Sequence, residues 1–268
     1  MTSIGFIGTG AITEALVRGL CTSGQGPDRI LLSPRNAERA AALTAQFAQV
    51  ATAPDNQAVV NGAETVFLAM RPDAAEEIVG TLRFRKGQTI VSLLPTFALA
   101  QVGALVAPAD DCCRVLPLPP AARRQGPIAI YPAGHSAAPL VALVGTLVEL
   151  GEENEFAALL ASTSLMASFF ASGGSVAEWL TRKGVSAKGA RVYVAELTAA
   201  LAQAALDDEL SYETLVDEHT TPGGLNAQAL RELRDAGNCA NIARTLDLID
   251  RRIHGQAGFE DRLGEDPK

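Results

Sequence analysis

An α/β fold, with a doubly wound sheet followed by an all-α domain, is what this chain predicts, and three observations carry it. Short apolar runs alternate with helical patterns through the first half, those runs are apolar at nearly every position, and near residue 152 the strand signals stop. Strands that are apolar on both faces belong to a parallel sheet covered by helices on each side. A sheet with one wet face would instead alternate polar and apolar residues.

The elements follow in order. "SIGFIG" (3–8) reads as a strand and "AITEALVRGLCTSG" (11–24) as a helix closed by Gly24. "RILLSP" (29–34) is a second strand, and a second helix over 36–47 is entered at Asn36 as its N-cap. "ETVFLAM" (64–70) is a strand, and "PDAAEEIVGTL" (72–82) a helix with proline in its first turn, where the missing N–H costs nothing. "QTIVSLL" (88–94), "CCRVLPL" (112–118) and "GPIAIYPAG" (126–134) are further strands. From "EENEFAALLAS" onward, Ala/Leu-rich patterns take over. Ala190, Tyr193, Leu197, Leu201 and Ala204 fall at spacings of three and four, which is one helix face. So many alanines allow close helix approach, in a buried bundle or a subunit interface. Tyr193 reads as core, with Glu196 beside it as a weaker chemical candidate, and Trp179 as a core or interface anchor.

Composition excludes several classes. With 268 residues, 48% hydrophobic and 19% charged, only the polar end "GFEDRLGEDPK" is expected to be disordered. A net charge of −8 argues against nucleic acid as a partner. No apolar run is read as a membrane span, "PLVALVGTLV" being half of one, and "MTSIGFIGTG" lacks the basic start of a signal peptide. Cys21, Cys112, Cys113 and Cys239 show no CxxC spacing and, with three scattered histidines, form no metal framework. A reduced Cys112–Cys113 pair in a cytoplasmic protein is the expectation.

Four stretches carry chemistry. In "IGFIGTGAITEAL", Gly8 and Gly10 lie between the first strand and the first helix, the place of a dinucleotide fingerprint in a Rossmann-type domain. Gly8 permits the tight turn, and Gly10 lets the backbone approach a pyrophosphate at the helix N-terminus. The third fingerprint position is Thr13, which would set the helix slightly farther from the strand. In "LLSPRNAER", no acid stands where one would hold a ribose 2′-OH. Ser33 and Arg35, with Arg39 one turn later, suit a 2′-phosphate, so NADPH is expected over NADH; solvated arginines are the alternative, more readily for Arg39. In "FLAMRPDAAEEI", Pro72 turns the chain beside the cleft, and Arg71 either bridges to a phosphate or the other domain or has no such role. In "HTTPGGLNAQAL" (219–230), glycines expose consecutive N–H groups at a helix start, as an anion site or a plain turn.

"GFIGTGAITEALVRGL", "SPRNAERAAAL", "DNQAVVNGAETVFLAMRPDAAEEIV", "RVLPLPP" and "TTPGGLNAQALREL" occur in an order that resembles the pyrroline-5-carboxylate reductases, from about residue 4 to residue 235. The resemblance implies an NAD(P)-binding domain over 1–152 and a helical substrate and dimerisation domain over 153–268. It also implies reduction of a five-membered cyclic imine carboxylate to proline. By resemblance, Gly8, Thr9, Gly10, Ala11 and Ile12 hold the pyrophosphate, and Ser33 and Arg35 meet the adenosine ribose or its phosphate. Asn56 lies near the adenosine side, and Ala69, Arg71 and Pro72 line the cofactor, with Arg in place of the family's Lys. Thr220, Thr221, Gly223, Gly224 and Leu225 would cradle the substrate carboxylate.

Departures cluster in the substrate half. The paired threonines after Gly-Gly become Leu225 and Asn226, the Ser-Gly-Ser-Gly-Pro-Ala segment becomes "STSLMA" (162–167), and the Met-Pro-Asn-Thr-Pro turn becomes Leu116 to Pro120. The strand-end Ala-Gly reads Leu94-Pro95. The expectation is therefore an NADPH-dependent reductase of a small cyclic imine carboxylate with an altered pocket, with Asn226 and His219 as catalytic candidates. His219 would be the proton source, or else a surface or packing histidine. A cytoplasmic homodimer formed through the helical domain, without nucleic acid, metal or membrane, completes it. Two alternatives stand: a non-catalytic NADP-binding sensor, and a β-hydroxyacid-type dehydrogenase, whose lysine is missing from "ASTSLMASFF".

Overall fold

A computed structural model describes residues 2–207 and 210–261, and the chain divides into two compact units, Met1–Leu160 and Ala161–Lys268. In the first unit, β1 (Ser3–Ile7), β2 (Arg29–Leu32), β3 (Val50–Thr52), β4 (Thr65–Leu68), β5 (Thr89–Ser92), β6 (Asp111–Leu116), β7 (Pro127–Tyr131) and β8 (Thr146–Glu149) form one sheet. Its order is β3-β2-β1-β4-β5-β6-β7-β8. All neighbours run parallel except β6 and β7, where Val115 lies opposite Ile130.

The helices are α1 (Ala11–Cys21), α2 (Ala37–Gln46), α3 (Asn56–Gly62), α4 (Ala75–Gly80), α5 (Leu99–Val106), α6 (Ala138–Val141) and α7 (Glu153–Thr163), the last of which runs across the division between the units. Alternate strand residues feed two cores. Ile4, Phe6, Ile30, Leu32 and Phe67 pack with Leu16, Leu20 and Leu43 of α1 and α2. Ile7, Leu31, Val66 and Leu68 pack with Val59, Val79 and Val102 of α3, α4 and α5. That division is why the strands read as continuously apolar. Phe6 and Phe67 stack at 4.5 Å across the β1–β4 pair. Truncating Leu16, which is fully buried at the α1 contact, would cost about 2–5 kcal/mol.

Five elements escape the periodicity. β3 is three residues long, and α3 spans seven, opened by the Asp55 carboxylate accepting from Ala58 N–H. α5 carries Gly103 in its interior. The run "PLVALVGTLV" splits into α6, a 3-10 turn and β8. "PDAAEEIVGTL" likewise divides into a 3-10 turn over Pro72–Ala74 and α4.

Two partly buried polar clusters tie β5 and β6 to the segments beside them. Arg114 Nη1 donates to Glu153 at 2.8 Å, its Nη2 donates to the Pro95 carbonyl at 2.9 Å, and its guanidinium lies 3.9 Å over the Phe156 ring. The same Glu153 carboxylate accepts Leu99 N–H at 2.6 Å, joining the starts of α5 and α7. Asp111 accepts from Thr89 Oγ1 (2.7 Å) and Ser136 Oγ (2.9 Å). His135 accepts Ala137 N–H on Nδ1, so its proton sits on Nε2, 3.0 Å from Asp111 in an electrostatic contact rather than an aligned hydrogen bond. All four cysteines are free, and burial pushes the Cys21 and Cys112 thiols up to about 11, leaving them unreactive.

The second unit holds α8 (Met166–Arg182), α9 (Ala187–Asp207), α10 (Tyr212–Glu218), α11 (Leu225–Asp235) and α12 (Asn238–Ile253). None of α8, α10, α11 and α12 has a buried residue. Tyr193, expected in a core, is 63% exposed, and Trp179 is 51% exposed. The reason is physical: the Ala190–Tyr193–Leu197–Leu201 face exists, but within one chain only Ala190 is covered. The membrane expectation also needs correcting. Residues 153–182 contain an 18-residue window of mean hydropathy 1.5, long and apolar enough to cross a membrane by length and composition. Residues 156–177 carry no charge, and their Ala, Ser and Gly hide an apolarity that only summation reveals. Most of the tail expected to be disordered, residues 262–268, lies outside the described residues.

Burial raises the Asp111 carboxyl, but hydrogen bonds from Thr89 and Ser136 and the His135 contact outweigh it, leaving a net shift below the ordinary value. A depressed folded-state value stabilises the fold above the unfolded carboxylate range, about pH 4, and that stabilisation is lost as pH falls through the folded value. Asp111→Asn should therefore lower the urea midpoint at pH 7, with the gap to wild type closing below about pH 4. Urea titrations across pH check this.

Candidate functional site

The glycine turn follows β1, where the chain winds one way through β2 and β3 and the other way through β4. Ligands bind outside the strand ends at such a switch point. Gly8 has φ +102°, and a Cβ there would meet the Ala69 carbonyl oxygen at 2.5 Å. Gly10 caps α1 with no side-chain cap, and a Cβ on it would meet nothing within 4 Å. The first-turn amides of α1 thus face open space, which fits a diphosphate.

Three buried hydroxyls brace this turn. Gly8 N–H donates to Ser33 Oγ (2.9 Å), Thr9 Oγ1 donates to the Ser33 carbonyl (2.8 Å), and Thr13 Oγ1 donates to the Gly8 carbonyl (2.7 Å). Thr13, at the third fingerprint position, is therefore a tie between helix and turn. The Ser33 hydroxyl, expected toward a phosphate, points to the turn and is 1% exposed. Arg35 is exposed. Arg39 Nε pairs with Glu14 at 2.7 Å, and Glu14 also binds Arg18 at 2.9 Å. The bonds from Arg18 and then Arg39 hold the Glu14 carboxyl below its ordinary value.

Ala11 and Ile12 open α1, and Ala69 N–H donates to Ile7 O at 2.8 Å beside the turn. Arg71, at 84% side-chain exposure, is ion-paired with Asp73, and Pro72 starts a 3-10 turn. Asn56 is the first residue of α3 and shares no hydrogen bond with the turn among the described residues. Gly8, Thr9, Ser33 and Ala69 are thus brought together, while Arg35 and Arg71 stand exposed. Sequence reasoning missed Glu14, although its i, i+4 spacing to Arg18 was the available signal.

In the second unit, Gly223 takes φ +76° and Gly224 caps α11 without a side-chain cap. Gly224 N–H is spent on the Thr221 carbonyl (2.9 Å), so the two glycines do not both offer an amide. Among the described residues, the Gly223 amide and the first-turn amides of Leu225 and Asn226 remain open. Asn226 Nδ2 donates to the His219 carbonyl (3.0 Å), and Thr220 Oγ1 donates to the Val216 carbonyl. His219 Nδ1 lies 2.8 Å from the Leu215 carbonyl, which only accepts, so Nδ1 carries the proton and Nε2 is free. Leu225 is 85% exposed beside the turn.

Two family models match: "NADP oxidoreductase coenzyme F420-dependent" over residues 3–96 and "Pyrroline-5-carboxylate reductase dimerisation" over residues 152–254. The pyrroline-5-carboxylate reductase of Pseudomonas aeruginosa is 26% identical over 272 residues, covering 98% of each chain. This chain is similar to the pyrroline-5-carboxylate reductase family along nearly its whole length, and its helical half matches that family's dimerisation model. Among solved structures, the family's enzyme from Streptococcus pyogenes superposes with a TM-score of 0.81 at 22% identity, covering 94% of this chain and 98% of that one. The Plasmodium falciparum pyrroline carboxylate reductase, solved with NADP bound, gives 0.81 at 14% identity, covering 96% and 98%. Both share the fold described above.

Ser33→Ala should leave the part-buried Gly8 N–H without its partner and destabilise the protein by about 1–3 kcal/mol in urea. Thr13→Val should cost less, because a carbonyl tolerates a lost partner better than an N–H does.

Proposed function

We infer that the protein is an NADPH-dependent reductase of a small cyclic imine carboxylate, with a pocket altered from that of pyrroline-5-carboxylate reduction. The observation that carries this reading is the uncapped glycine turn at the switch point, in a chain whose helical half matches the dimerisation model. When bound, the nicotinamide supplies a hydride to the imine carbon. Gly8, Thr9, Gly10, Ala11 and Ile12 hold the pyrophosphate at the α1 N-terminus, Asn56 and the 33–35 strand end lie toward the adenosine side, and Ala69, Arg71 and Pro72 border the cofactor.

In the second unit, the Gly223 amide and the α11 first turn orient the substrate carboxylate, with Thr220, Thr221 and Gly224 shaping the turn. Asn226 contacts the substrate nitrogen, and a protonated His219 Nε2 delivers the proton that completes the amine. Leu225 adds apolar wall where the family has a hydroxyl, favouring a less polar ring than pyrroline-5-carboxylate. Exposed apolar side chains across the helical unit, Phe169, Phe170, Trp179 and Tyr193 among them, support a homodimer through that unit. That burial also accounts for the apolar stretch 153–182 without a membrane. The free cysteines suit a cytoplasmic enzyme.

A second reading, an NADP-binding sensor without turnover, is favoured by one observation: Asn226 is tied back to its own turn. NADPH consumption against a panel of cyclic imines separates the two. Turnover is expected, with pyrroline-5-carboxylate slower than a less polar imine; binding without turnover across the panel would sink the reductase. Restoring hydroxyls with Leu225→Thr and Asn226→Thr together should raise kcat/KM for pyrroline-5-carboxylate about tenfold, the worth of one hydrogen bond.

A further inference from the structure

We propose that Arg39, rather than the Ser33 hydroxyl, is the anchored residue that reads the cofactor's 2′-phosphate, an assignment that rests on the NADP reading above. A serine hydroxyl has one proton and two lone pairs. Ser33 Oγ accepts Gly8 N–H, and it also meets Thr9 Oγ1 at 3.2 Å. The Thr9 proton goes to the Ser33 carbonyl, so the proton between the two hydroxyls comes from Ser33. At 1% exposure, nothing is left to offer a phosphate. Ser33 holds the turn and does not touch the ligand.

Arg39 is placed differently. It sits in the first turn of α2, with its side chain one-third exposed. Nε donates to Glu14, and Nη1 reaches the Thr9 carbonyl at 3.5 Å, so the guanidinium leans over the same turn. Of its five N–H groups, two are engaged and three have no partner among the described residues. Glu14 is a carboxylate beside the α1 N-terminus and would repel an anion there on its own. Two guanidinium groups, Arg18 and Arg39, share it, and the cluster carries a surplus positive charge. The result is a preoriented fork, the geometry that suits phosphate oxygens. Arg35 is a cation without such anchoring, since it has no ion pair or hydrogen bond among the described residues.

The test is equilibrium titration of the full chain with NADPH and with NADH, read by nicotinamide fluorescence, for wild type, Arg39→Gln, Arg39→Lys and Arg35→Gln. Arg39→Gln should raise the NADPH Kd roughly ten- to hundredfold and the NADH Kd only a few-fold, the smaller loss reflecting charge shared with the diphosphate turn, with an unchanged urea midpoint as the folding control. Arg39→Lys, which keeps the charge but loses the fork, should fall between, and Arg35→Gln should lose less than Arg39→Gln. Retention of the wild-type preference by Arg39→Gln would overturn the assignment and leave the NADP reading standing. Equal loss of both nucleotides would also overturn it, marking Arg39 as structural. A wild type with no preference would overturn the NADP reading and this assignment together.

Discussion

At Gly8 the chain leaves β1 with a backbone that only glycine adopts without strain, packed so closely on Ala69 that no side chain fits. The rest of the first unit depends on this approach. β1 and β4 run side by side up to Ile7 and Leu68, and beyond that point one chain turns into α1 and the other toward Pro72. Ser33, at the end of β2, takes the Gly8 amide, so three neighbouring strand ends are locked by one turn. Helix α1 then starts in front of open space with its amides unspent, and the field of its N-terminus is directed where a diphosphate would sit. Filling the turn with a side chain would part the strand ends and misdirect the helix at once.

Most of this was legible because its signals are local. Strands buried on both faces read as apolar runs, glycines between a strand and a helix read as a nucleotide turn, and Asn36 was found as the α2 cap that it is. What escaped depends on partners distant in sequence. β3 and β8 are short and gain their identity from pairing with β2 and β7. Thr13 looked like a misfit at a small-residue position, yet its hydroxyl reaches the carbonyl five residues earlier and makes the substitution a tie. Ser33 lies beside the glycine turn, but the direction of its hydroxyl is not legible in sequence, since it could face a ligand or the turn. The direction was decided by Gly8 N–H, 25 residues away.

The helical unit inverts the usual relation between pattern and burial. The periodicity of α9 marks an apolar face, and the face is there, but Tyr193, Leu197 and Leu201 meet solvent within one chain. An apolar surface of that kind is not stable in water alone, because a domain needs its own covered core. Periodicity reports that a face will be buried and is silent on whether the same chain buries it. The uncharged stretch 156–177 gains its meaning in the same way. Phe156 and Ala161 at its start are buried within the chain, while Phe169, Phe170 and Val176 further on meet solvent.

Two of the glycine-capped helices, α1 and α11, open from glycine-rich turns in different electrostatic surroundings. At α1 the backbone dipole is backed by Arg18 and Arg39, offset by a single Glu14. Around α11, Glu213, Asp217 and Glu218 on α10 precede the turn, and Glu232 and Asp235 follow against Arg231 and Arg234. Five acids against two bases leave that segment negative. A carboxylate held there relies on short-range amide hydrogen bonds, with long-range attraction working against it. The α1 turn thus favours an anion by charge as well as by geometry, and the α11 turn by its amide hydrogen bonds alone.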